Sequence, residues 1–205
     1  MQSKSSPSLS VRAAQSTFSM PRVTVGLDLS YTSTGVSVLF DGVFQPELSF
    51  VFGTTPKTDP STVIRAQLAA KKVIEHLTML RDIKSEPHVF VENYAFMRTN
   101  NRELMGELGG IVKAALLDNK FKYEPLAITM VRKVITGKGN SRKDQIMYAL
   151  LKRHNLDIVQ NDIADATAVA LTGDYVVRAR EAHEVLDTWP AETRDAVRAY
   201  LKEKT

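Results

Sequence analysis

Four acidic side chains lie where the surrounding sequence is apolar. They are Asp28, Glu92, Asp162 and Asp165. The first two end strand-like runs, and the last two lie three residues apart at the head of a helical run. An isolated ionised carboxylate in an apolar setting takes up a proton or finds a partner, and four together would repel one another without divalent metal between them. The set therefore predicts a metal site built from carboxylate oxygens.

Each acid taken alone has an ordinary alternative explanation. Asp28 could begin a turn, Glu92 could reach solvent at a strand end, and Asp162 could cap the helix that follows. The helical run from 161 to 171 is apolar nearly all round, so it should be buried, and two charges at its start need compensation. Open α/β sheets bind ligands at the carboxyl ends of strands, where Asp28 and Glu92 fall. The four side chains can therefore converge on one pocket.

Oxygen ligands of this kind suit Mg²⁺, with Mn²⁺ as a substitute. Two ions per site, about 4 Å apart, would support in-line displacement at a phosphodiester. We therefore expect phosphodiester hydrolysis with magnesium as the cofactor. The histidines show no HExxH or comparable spacing, and the sequence has no Gly-Lys-Ser/Thr nucleotide loop. No small-molecule cofactor is expected.

Lys143 lies at the inward edge of the helix predicted at 141–154, because its row continues through Met147 and Leu151. A contact with phosphate or with the transition state is one interpretation, and a snorkelling surface lysine is the other. The turn Gly137-Lys138-Gly139 just before this helix could also hold phosphate through its backbone N–H groups. Both features would place positive charge beside the acids.

The basic character of the chain is concentrated in one segment. The formal net charge is +4, and residues 120–153 hold nine Lys and Arg against two acidic residues. Basic residues clustered in this way indicate a polyanion partner. The candidate nucleic-acid contacts in this segment are Arg132, Lys133, Lys138 and Arg142. Tyr94 and Phe96 follow Glu92 and could stack on an unpaired base, although an ordinary core contact is equally open.

Length and composition favour a single α/β domain with tails, because 205 residues can bury one full core. We predict a disordered basic tail at 1–20, a nuclease domain at 21–182 and a helical extension at 183–205. The absence of cysteine excludes disulfides and thiolate metal ligands. No apolar run approaches the roughly 20 residues of a membrane span, so we expect a cytoplasmic protein without a membrane partner. The Ser-rich N-terminus is also compositionally like an organellar transit peptide, an interpretation we do not favour.

Hydrophobic spacing and turn signals predict a series of strands and helices along the nuclease domain and the helical extension. Strands are predicted at 23–29, 35–40, 47–53, 88–92 and 123–128, with Asp41-Gly42 as a hairpin turn. Helices are predicted at 61–81, 102–119, 130–136, 141–154 and 161–180, and from 190 or 191 to 204. This order predicts an α/β fold in which an antiparallel meander precedes further strands.

Several of these motifs together resemble the RuvC-type Holliday-junction resolvases over about 23–172. The resemblance rests on Gly26-Leu27-Asp28-Leu29-Ser30 with Thr34-Gly35 after it, Val91-Glu92 followed by aromatics, the Gly-Lys-Gly turn before Lys143, and Asp162-x-x-Asp165-Ala166 in an Ala-rich helix. It implies an RNase H-like fold, whose mixed five-stranded sheet has three antiparallel strands and then parallel strands and is flanked by helices. It also implies a homodimer that nicks two strands of a four-way DNA junction, with branched DNA as its partner.

The same resemblance assigns roles to individual residues. The catalytic metal ligands are matched by Asp28, Glu92, Asp162 and Asp165. Lys143 matches the catalytic lysine after the Gly-x-Gly turn, and Arg132 falls where bacterial members tend to have another functional lysine, with a different donor geometry. The helix with Gly106, Gly109 and Gly110 resembles the segment used at the dimer interface. The long N-terminal tail and the helix after Trp189 depart from the compact bacterial pattern, which indicates a viral or otherwise divergent member.

Other functions remain open from the sequence. The same acids serve other RNase H-like nucleases, including ribonuclease H and transposases. The opening strand with Asp28 also resembles the phosphate-binding hairpin of actin- and sugar-kinase-type ATPases, but those need two lobes and a second Gly-rich hairpin. A non-catalytic DNA-binding module could keep the same fold, but it would not need all four acids together with Lys143.

Overall fold

A mixed β-sheet forms the centre of the protein, and helices cover both of its faces. The computed structural model describes residues 20–57, 59–83, 85–93 and 102–204. The strands are β1 (Val23–Asp28), β2 (Thr34–Phe40), β3 (Val43–Phe44), β4 (Phe50–Phe52), β5 (His88–Asn93) and β6 (Tyr123–Ala127). The α-helices are α1 (Thr62–Ile83), α2 (Arg102–Asp118), α3 (Ile128–Thr136), α4 (Lys143–His154), α5 (Asn161–Glu181) and α6 (Ala191–Glu203). Short 3₁₀ segments span Pro46–Leu48 and His183–Thr188.

The strand order across the sheet is β3, β2, β1, β5, β6, and β4 pairs with β2. Strands β1 and β2 are antiparallel, whereas β1 with β5 and β5 with β6 are parallel. The predicted hairpin turn lies between β2 and β3, where Asp41 and Gly42 take positive φ values of 50° and 82°. The sequence-based prediction of a mixed sheet, with antiparallel strands first and parallel strands after, is confirmed.

The predicted third strand, 47–53, is shortened to β4 in the structure, and the additional short strand β3 precedes it. Chain segments β3 and β4 both pair with β2, and the 3₁₀ segment Pro46–Leu48 separates them. Proline has no N–H to donate to a strand and its fixed φ suits the first turn of a helix, so pairing stops at Pro46. The described residues therefore form a sheet of six strands where five were expected.

Two apolar layers lie on opposite faces of the sheet. One packs α1 and α2 against alternate residues of the central strands, including Val25, Leu27, Val89 and Val91. The other packs α3, α4, α5 and α6 against the opposite face, where Phe90 belongs. Successive residues of a strand point to opposite faces, so this division follows from the continuous apolar runs of β1 and β5.

Helix α5 lies directly on the sheet because glycines leave room for its backbone. A Cβ atom at Gly26 of β1 would lie 2.2 Å from the Ala166 carbonyl oxygen, and one at Gly35 of β2 would lie 2.1 Å from the Asp162 carbonyl oxygen. In the reverse sense, a Cβ at Gly173 of α5 would lie 2.1 Å from the ring of Phe90. Contacts this close fix the helix against three neighbouring strands, and its first turn reaches the carboxyl end of β1.

The last helix, α6, packs on α3. Val197 and Tyr200 are buried in the layer below it, and the Tyr200 hydroxyl donates to Glu124 Oε2 at 2.8 Å. Thr193 Oγ1 donates to the Val134 carbonyl oxygen at 3.1 Å, which ties the start of α6 to α3. The predicted domain limits at 20 and 182 remain predictions. No helix in the described part of the chain is long and apolar enough to cross a membrane.

Candidate active site

The alternation of side chains along β1 and β5 brings Asp28 and Glu92 together. The two strands are parallel neighbours, and Leu27 lies opposite Val91. The next residue on each strand is acidic, Asp28 on β1 and Glu92 on β5. Leu27 and Val91 face α1 and α2. The residues after them therefore face α5, on the same side of the sheet as Gly26 and Phe90. Both acids lie at the carboxyl edge of the parallel strands, where the sequence predicted them.

The first turn of α5 brings the other two acids to the same edge. Asp28 pairs with Gly35 across the sheet, and Gly35 lies against the backbone of Asp162. Asp165 lies one helical turn further on and is buried, whereas Asp162 is half-buried. The partial positive charge at a helix N-terminus favours carboxylates here. Two strand ends and one helix start thus converge on a single region.

Burial in this region changes the acidity of Glu92. Only 5% of its surface is exposed, and the corresponding values for Asp28 and Asp165 are 9% and 8%. Removal from solvent, together with the negative charges of Asp28 and Asp165, raises the pKa of Glu92 to about 8. Because the charges of Asp28 and Asp165 contribute to this shift, the three carboxyl groups share one environment.

Lys143 is the counter-charge to these acids. Its Nζ donates to Asp165 Oδ2 at 2.5 Å. Burial lowers the pKa of Lys143, but the hydrogen bond to Asp165 and the charges of Asp28 and Asp162 outweigh it, so the pKa lies above its ordinary value. The ammonium therefore stays charged at neutral pH. We call the four carboxyl groups with Lys143 the acid pocket, comprising Asp28, Glu92, Asp162, Asp165 and Lys143.

Asp162 has a partner in the loop between β1 and β2. Its Oδ2 accepts a short hydrogen bond from the Ser33 hydroxyl. Ser33 is not part of the acid pocket, but its side chain bonds directly to one of the four acids. Ser33 and Asp162 are 129 positions apart in the sequence, so only the fold brings them together.

A family model decides the relationship of this chain to known proteins. The model described as "Crossover junction endodeoxyribonuclease RuvC" matches residues 24–173, a span that contains the whole acid pocket. The chain belongs to the RuvC family. This confirms the resemblance drawn from the motifs, and it argues against the ATPase interpretation of the opening strand.

Individual RuvC proteins match over different lengths. A crossover junction endodeoxyribonuclease RuvC of Rhodopirellula baltica is 37% identical over 75 residues, which are 36% of this chain and 42% of that protein. One of Wolbachia pipientis wMel is 28% identical over 153 residues, covering 74% of this chain and 93% of that protein. The second alignment spans nearly the whole relative, whereas the first spans less than half of its relative.

Two solved RuvC structures share the fold. The Thermus thermophilus RuvC structure superposes with a TM-score of 0.61 at 22% identity, over 78% of this chain and 96% of that chain. T. thermophilus RuvC in complex with a Holliday junction substrate gives a TM-score of 0.59 at 24% identity over the same shares. These similarities support the RNase H-like α/β fold that the resemblance implied.

The acid pocket has the donor set of a hard-cation site. Carboxylate oxygens are the ligands that Mg²⁺ and Mn²⁺ prefer. Among the residues that the structure describes, however, no three His, Cys, Asp or Glu side chains are already grouped as a metal-binding cluster. Asp165 Oδ2 is paired with the Lys143 ammonium. The residue types of this RuvC-family site therefore fit a divalent ion, and the present positions of their carboxylates do not form a complete shell.

The predicted DNA-binding residues have different locations. Arg132 borders the acid pocket, because its charge acts on Glu92, and its Nε is buried without a hydrogen-bond partner among the described residues. Lys133 lines a cavity of about 340 Å³ between α3 and α6. Lys138 is exposed, and Arg142 is paired with Asp144 at 2.6 Å on the surface.

The aromatic candidates lie elsewhere in the chain. Tyr94 and Phe96 are outside the residues that the structure describes. Their suggested stacking on bases therefore stays a prediction from the sequence.

Sequence reasoning missed Ser33. Its signal was a run of hydroxyl side chains after Asp28, from Ser30 to Thr34. Such runs are common in turns, because Ser and Thr hydrogen-bond to nearby backbone groups. Nothing local distinguishes the one hydroxyl that reaches Asp162 on a distant helix.

Proposed function

We propose that this chain is a structure-selective endodeoxyribonuclease that resolves four-way DNA junctions by metal-dependent phosphodiester hydrolysis. One observation carries the proposal. Four carboxyl groups from two strand ends and one helix converge around Lys143 in a chain that belongs to the RuvC family. Burying several negatively charged carboxylates close together costs free energy. A fold retained only for DNA binding would not need them.

The four carboxylates are proposed as the ligands of divalent metal. Bound Mg²⁺, or Mn²⁺ in its place, would supply a nucleophilic water and stabilise the leaving 3′ oxygen, and we propose two such ions per site. Mg²⁺ keeps several waters, so carboxylates that are not all in direct contact can still share an ion. Asp28 and Glu92 come from strands β1 and β5, and Asp162 and Asp165 come from helix α5.

Glu92 has to lose a proton before it can act as a ligand. Its pKa of about 8 arises from burial and from two neighbouring negative charges. Positive charge in the pocket favours the ionised form, so metal binding and release of this proton are coupled. Mg²⁺ should therefore bind more tightly, and cleavage at subsaturating Mg²⁺ should increase, between neutral and mildly alkaline pH.

Lys143 is proposed to meet the scissile phosphate. Its charge is held at the mouth of the pocket by Asp165, and its side chain is 63% exposed. An ammonium placed there is able to stabilise the negative charge that develops at the phosphate in the transition state. Arg132, whose charge acts on Glu92, would add a second contact to the DNA backbone.

The substrate has a two-fold arrangement of strands, and we propose that a homodimer cuts both. A two-fold enzyme would present two acid pockets to symmetry-related phosphates. The exposed positions of Gly106 and Gly110 on α2, where a Cβ atom would meet nothing within 4 Å, leave room for close approach of a second copy.

Cleavage of a synthetic four-way junction tests the proposal. Duplex DNA and an RNA–DNA hybrid serve as controls, each with Mg²⁺ and with chelator. We expect cutting of the junction only with metal, and we expect Asp28→Asn and Glu92→Gln to abolish cutting while junction binding persists. Wild-type cutting rates in those variants would remove the ligand assignment. Activity on the hybrid alone would instead indicate a ribonuclease H.

A further inference from the structure

The loop between β1 and β2 lies against the first turn of α5. Gly35, just after this loop, packs on the backbone of Asp162, and the Ser33 hydroxyl donates to Asp162 Oδ2. The loop therefore contacts the acid through both its main chain and one side chain. This contact links the strand that carries Asp28 to the helix that carries Asp162.

The loop is held in place by its own hydroxyl groups. The Ser30 backbone N–H donates to Thr34 Oγ1 at 3.0 Å, and that hydroxyl donates back to the Ser30 carbonyl oxygen at 2.6 Å. The Thr32 N–H donates to Ser30 Oγ at 3.3 Å. Ser33 is thus presented to α5 by a loop with a defined conformation.

The far side of the loop is anchored to the segment after β4. The Tyr31 carbonyl oxygen accepts from the Thr54 N–H at 3.0 Å and from Thr54 Oγ1 at 3.1 Å. Buried Arg65 of α1 donates to Thr54 Oγ1 at 2.8 Å and to its carbonyl oxygen at 3.0 Å. A loop with contacts on both sides can hold a side chain in one direction.

Asp162 is the acid that most needs such support. It is half-buried, whereas the other three carboxyl groups of the acid pocket are buried. Packing therefore restricts its side chain less, and a half-buried aspartate in the first turn of a helix can take several rotamers. The Ser33 hydroxyl engages one carboxylate oxygen, Oδ2, and a carboxylate has a second oxygen that can face the pocket.

We propose that Ser33 is a positioning residue that holds Asp162, through its hydroxyl, in the orientation in which that carboxylate binds divalent metal. The inference rests on the proposed function, since it assigns Asp162 as a ligand. Ligating carboxylates are commonly fixed by hydrogen bonds from residues that do not touch the metal, and losing such a bond weakens metal binding by about 10- to 100-fold. Ser33 supplies that bond here.

The test compares Ser33→Ala with Ser33→Thr, Ser33→Cys and the wild type. Binding of Mn²⁺ is measured by calorimetry without DNA, and cleavage of the four-way junction is measured across Mg²⁺ concentrations. We expect about 10- to 100-fold weaker Mn²⁺ binding in Ser33→Ala, with the half-saturating Mg²⁺ concentration raised to match. Cleavage at saturating Mg²⁺ should fall much less.

The remaining variants separate the hydroxyl from the shape of the side chain. Ser33→Thr keeps the hydroxyl and should bind Mn²⁺ within a few-fold of the wild type. Ser33→Cys keeps the size of serine but is a weak donor, so it should resemble Ser33→Ala. Ser33→Cys also takes the place of Ser33→Ala in the comparison if the Ser33→Ala variant does not fold. Thr32→Val removes a hydroxyl of the same loop that contacts Ser30 Oγ at 3.3 Å and not Asp162. It controls for loosening of the loop and should bind Mn²⁺ within a few-fold of the wild type.

The outcomes distinguish this inference from the function beneath it. Equal Mn²⁺ affinity in the wild type, Ser33→Ala and Ser33→Cys, with junction cleavage intact, would overturn the positioning role and leave the nuclease proposal standing. Loss of cleavage at every Mg²⁺ concentration without weaker Mn²⁺ binding would also overturn it. A wild type that neither binds Mn²⁺ nor cuts the junction would overturn the proposed function and this inference with it.

Discussion

Lys143 shows how a single residue can combine structural and chemical roles. Its ammonium is bonded to Asp165, and the charges of Asp28 and Asp162 also hold its pKa above the ordinary value. A group that stays protonated in this way cannot serve as a general base at neutral pH. Its contribution to the reaction is positive charge, delivered at the mouth of the acid pocket.

We expect Lys143→Ala to lower the single-turnover rate of junction cleavage by about 100-fold, because it removes one fixed charge from the developing transition state. Mn²⁺ binding, measured by calorimetry, should not weaken, since Asp165 then has no competing cation. Lys152→Ala, on the same helix and outside the acid pocket, is the control and should cut at the wild-type rate. Unchanged cleavage in Lys143→Ala would contradict the assignment.

Glu92 makes the stability of the metal-free protein depend on pH. Its folded-state pKa of about 8 lies above its ordinary value of 4.5, so the folded chain binds more protons than the unfolded chain between these values. Stability from this group is therefore fully present below pH 4.5 and is lost as pH rises toward 8. The Glu92→Gln variant has no ionisable group at this position, so its stability should not fall from this cause as pH rises toward 8.

In chelator at pH 8, we expect Glu92→Gln to melt higher than the wild type by at least ~5 °C, with the difference shrinking toward pH 5. Thermal unfolding followed by circular dichroism measures it. The control is Glu47→Gln, an exposed carboxylate far from the pocket in sequence, whose pH dependence should match the wild type. A pH-independent difference for Glu92→Gln would mean that Glu92 is not protonated in the fold.

Individual acids could be selected from the sequence because charge is conspicuous in an apolar run. Asp28 and Glu92 end apolar strands, and Asp165 is followed by Ala166 and a buried helix. The Ser33 hydroxyl could not be selected in this way, because its partner is decided by how β2 meets α5. Local sequence identifies groups that need a partner, and the fold supplies the partner.

At the scale of elements, helices and strands were predictable where the apolar spacing was regular. Helix α1 was expected at 61–81 and spans Thr62–Ile83, with its buried row at positions such as Ala66, Val73 and Leu77. The strand expected at 47–53 is shortened to Phe50–Phe52, because a 3₁₀ segment that starts at Pro46 takes up residues 46–48. The order of strands across the sheet depends on contacts far apart in sequence, which no local pattern encodes.

The contact between β1 and α5 sets the geometry of the acid pocket. A methyl group at Gly26 would lie 2.2 Å from the Ala166 carbonyl oxygen and 2.4 Å from the Ala170 nitrogen, both of them backbone atoms. Neither can move without shifting the helix. Because Asp28 follows on the same strand and Asp162 starts the same helix, the spacing of the two acids depends on this glycine.

We expect Gly26→Ala to destabilise the protein by about 3 kcal/mol or more, since overpacking against a backbone cannot be relieved by a rotamer change. Urea unfolding measures the loss. Gln67→Ala, on an exposed part of α1, is the control, because it places no new atoms in the packed interior. Alanine is the better helix former, so this variant should be neutral or slightly more stable. Wild-type stability in Gly26→Ala would show that α5 does not lie on the strand.

At the scale of the whole molecule, the acid pocket and the basic residues lie on the side of the sheet that α3, α4 and α5 cover. Arg132 acts on Glu92, and Lys138 lies in the connection between α3 and α4, just before Lys143. Helices α1 and α2 form the other layer. Arg132, Lys138 and Lys143 therefore belong to the same layer as the proposed chemistry, where we expect a DNA backbone to lie.

This asymmetry predicts how binding responds to salt. Each Lys or Arg that contacts a phosphate releases counterions, so the logarithm of the affinity falls linearly with the logarithm of salt concentration. We expect a steep slope for junction binding, measured by fluorescence anisotropy with the uncleaving Asp28→Asn variant. Lys138→Ala should make that slope shallower by about one, because one phosphate contact is lost.

Lys72→Ala removes an equal charge from α1 on the opposite layer and should leave the slope unchanged. It is the control for net charge, since both variants lower the chain's charge of +4 by the same amount. Equal slopes in Lys138→Ala and Lys72→Ala would mean that the DNA senses only the total charge of the protein. A change confined to Lys138→Ala would locate the DNA on the face that carries the acid pocket, which is where cleavage requires it to be.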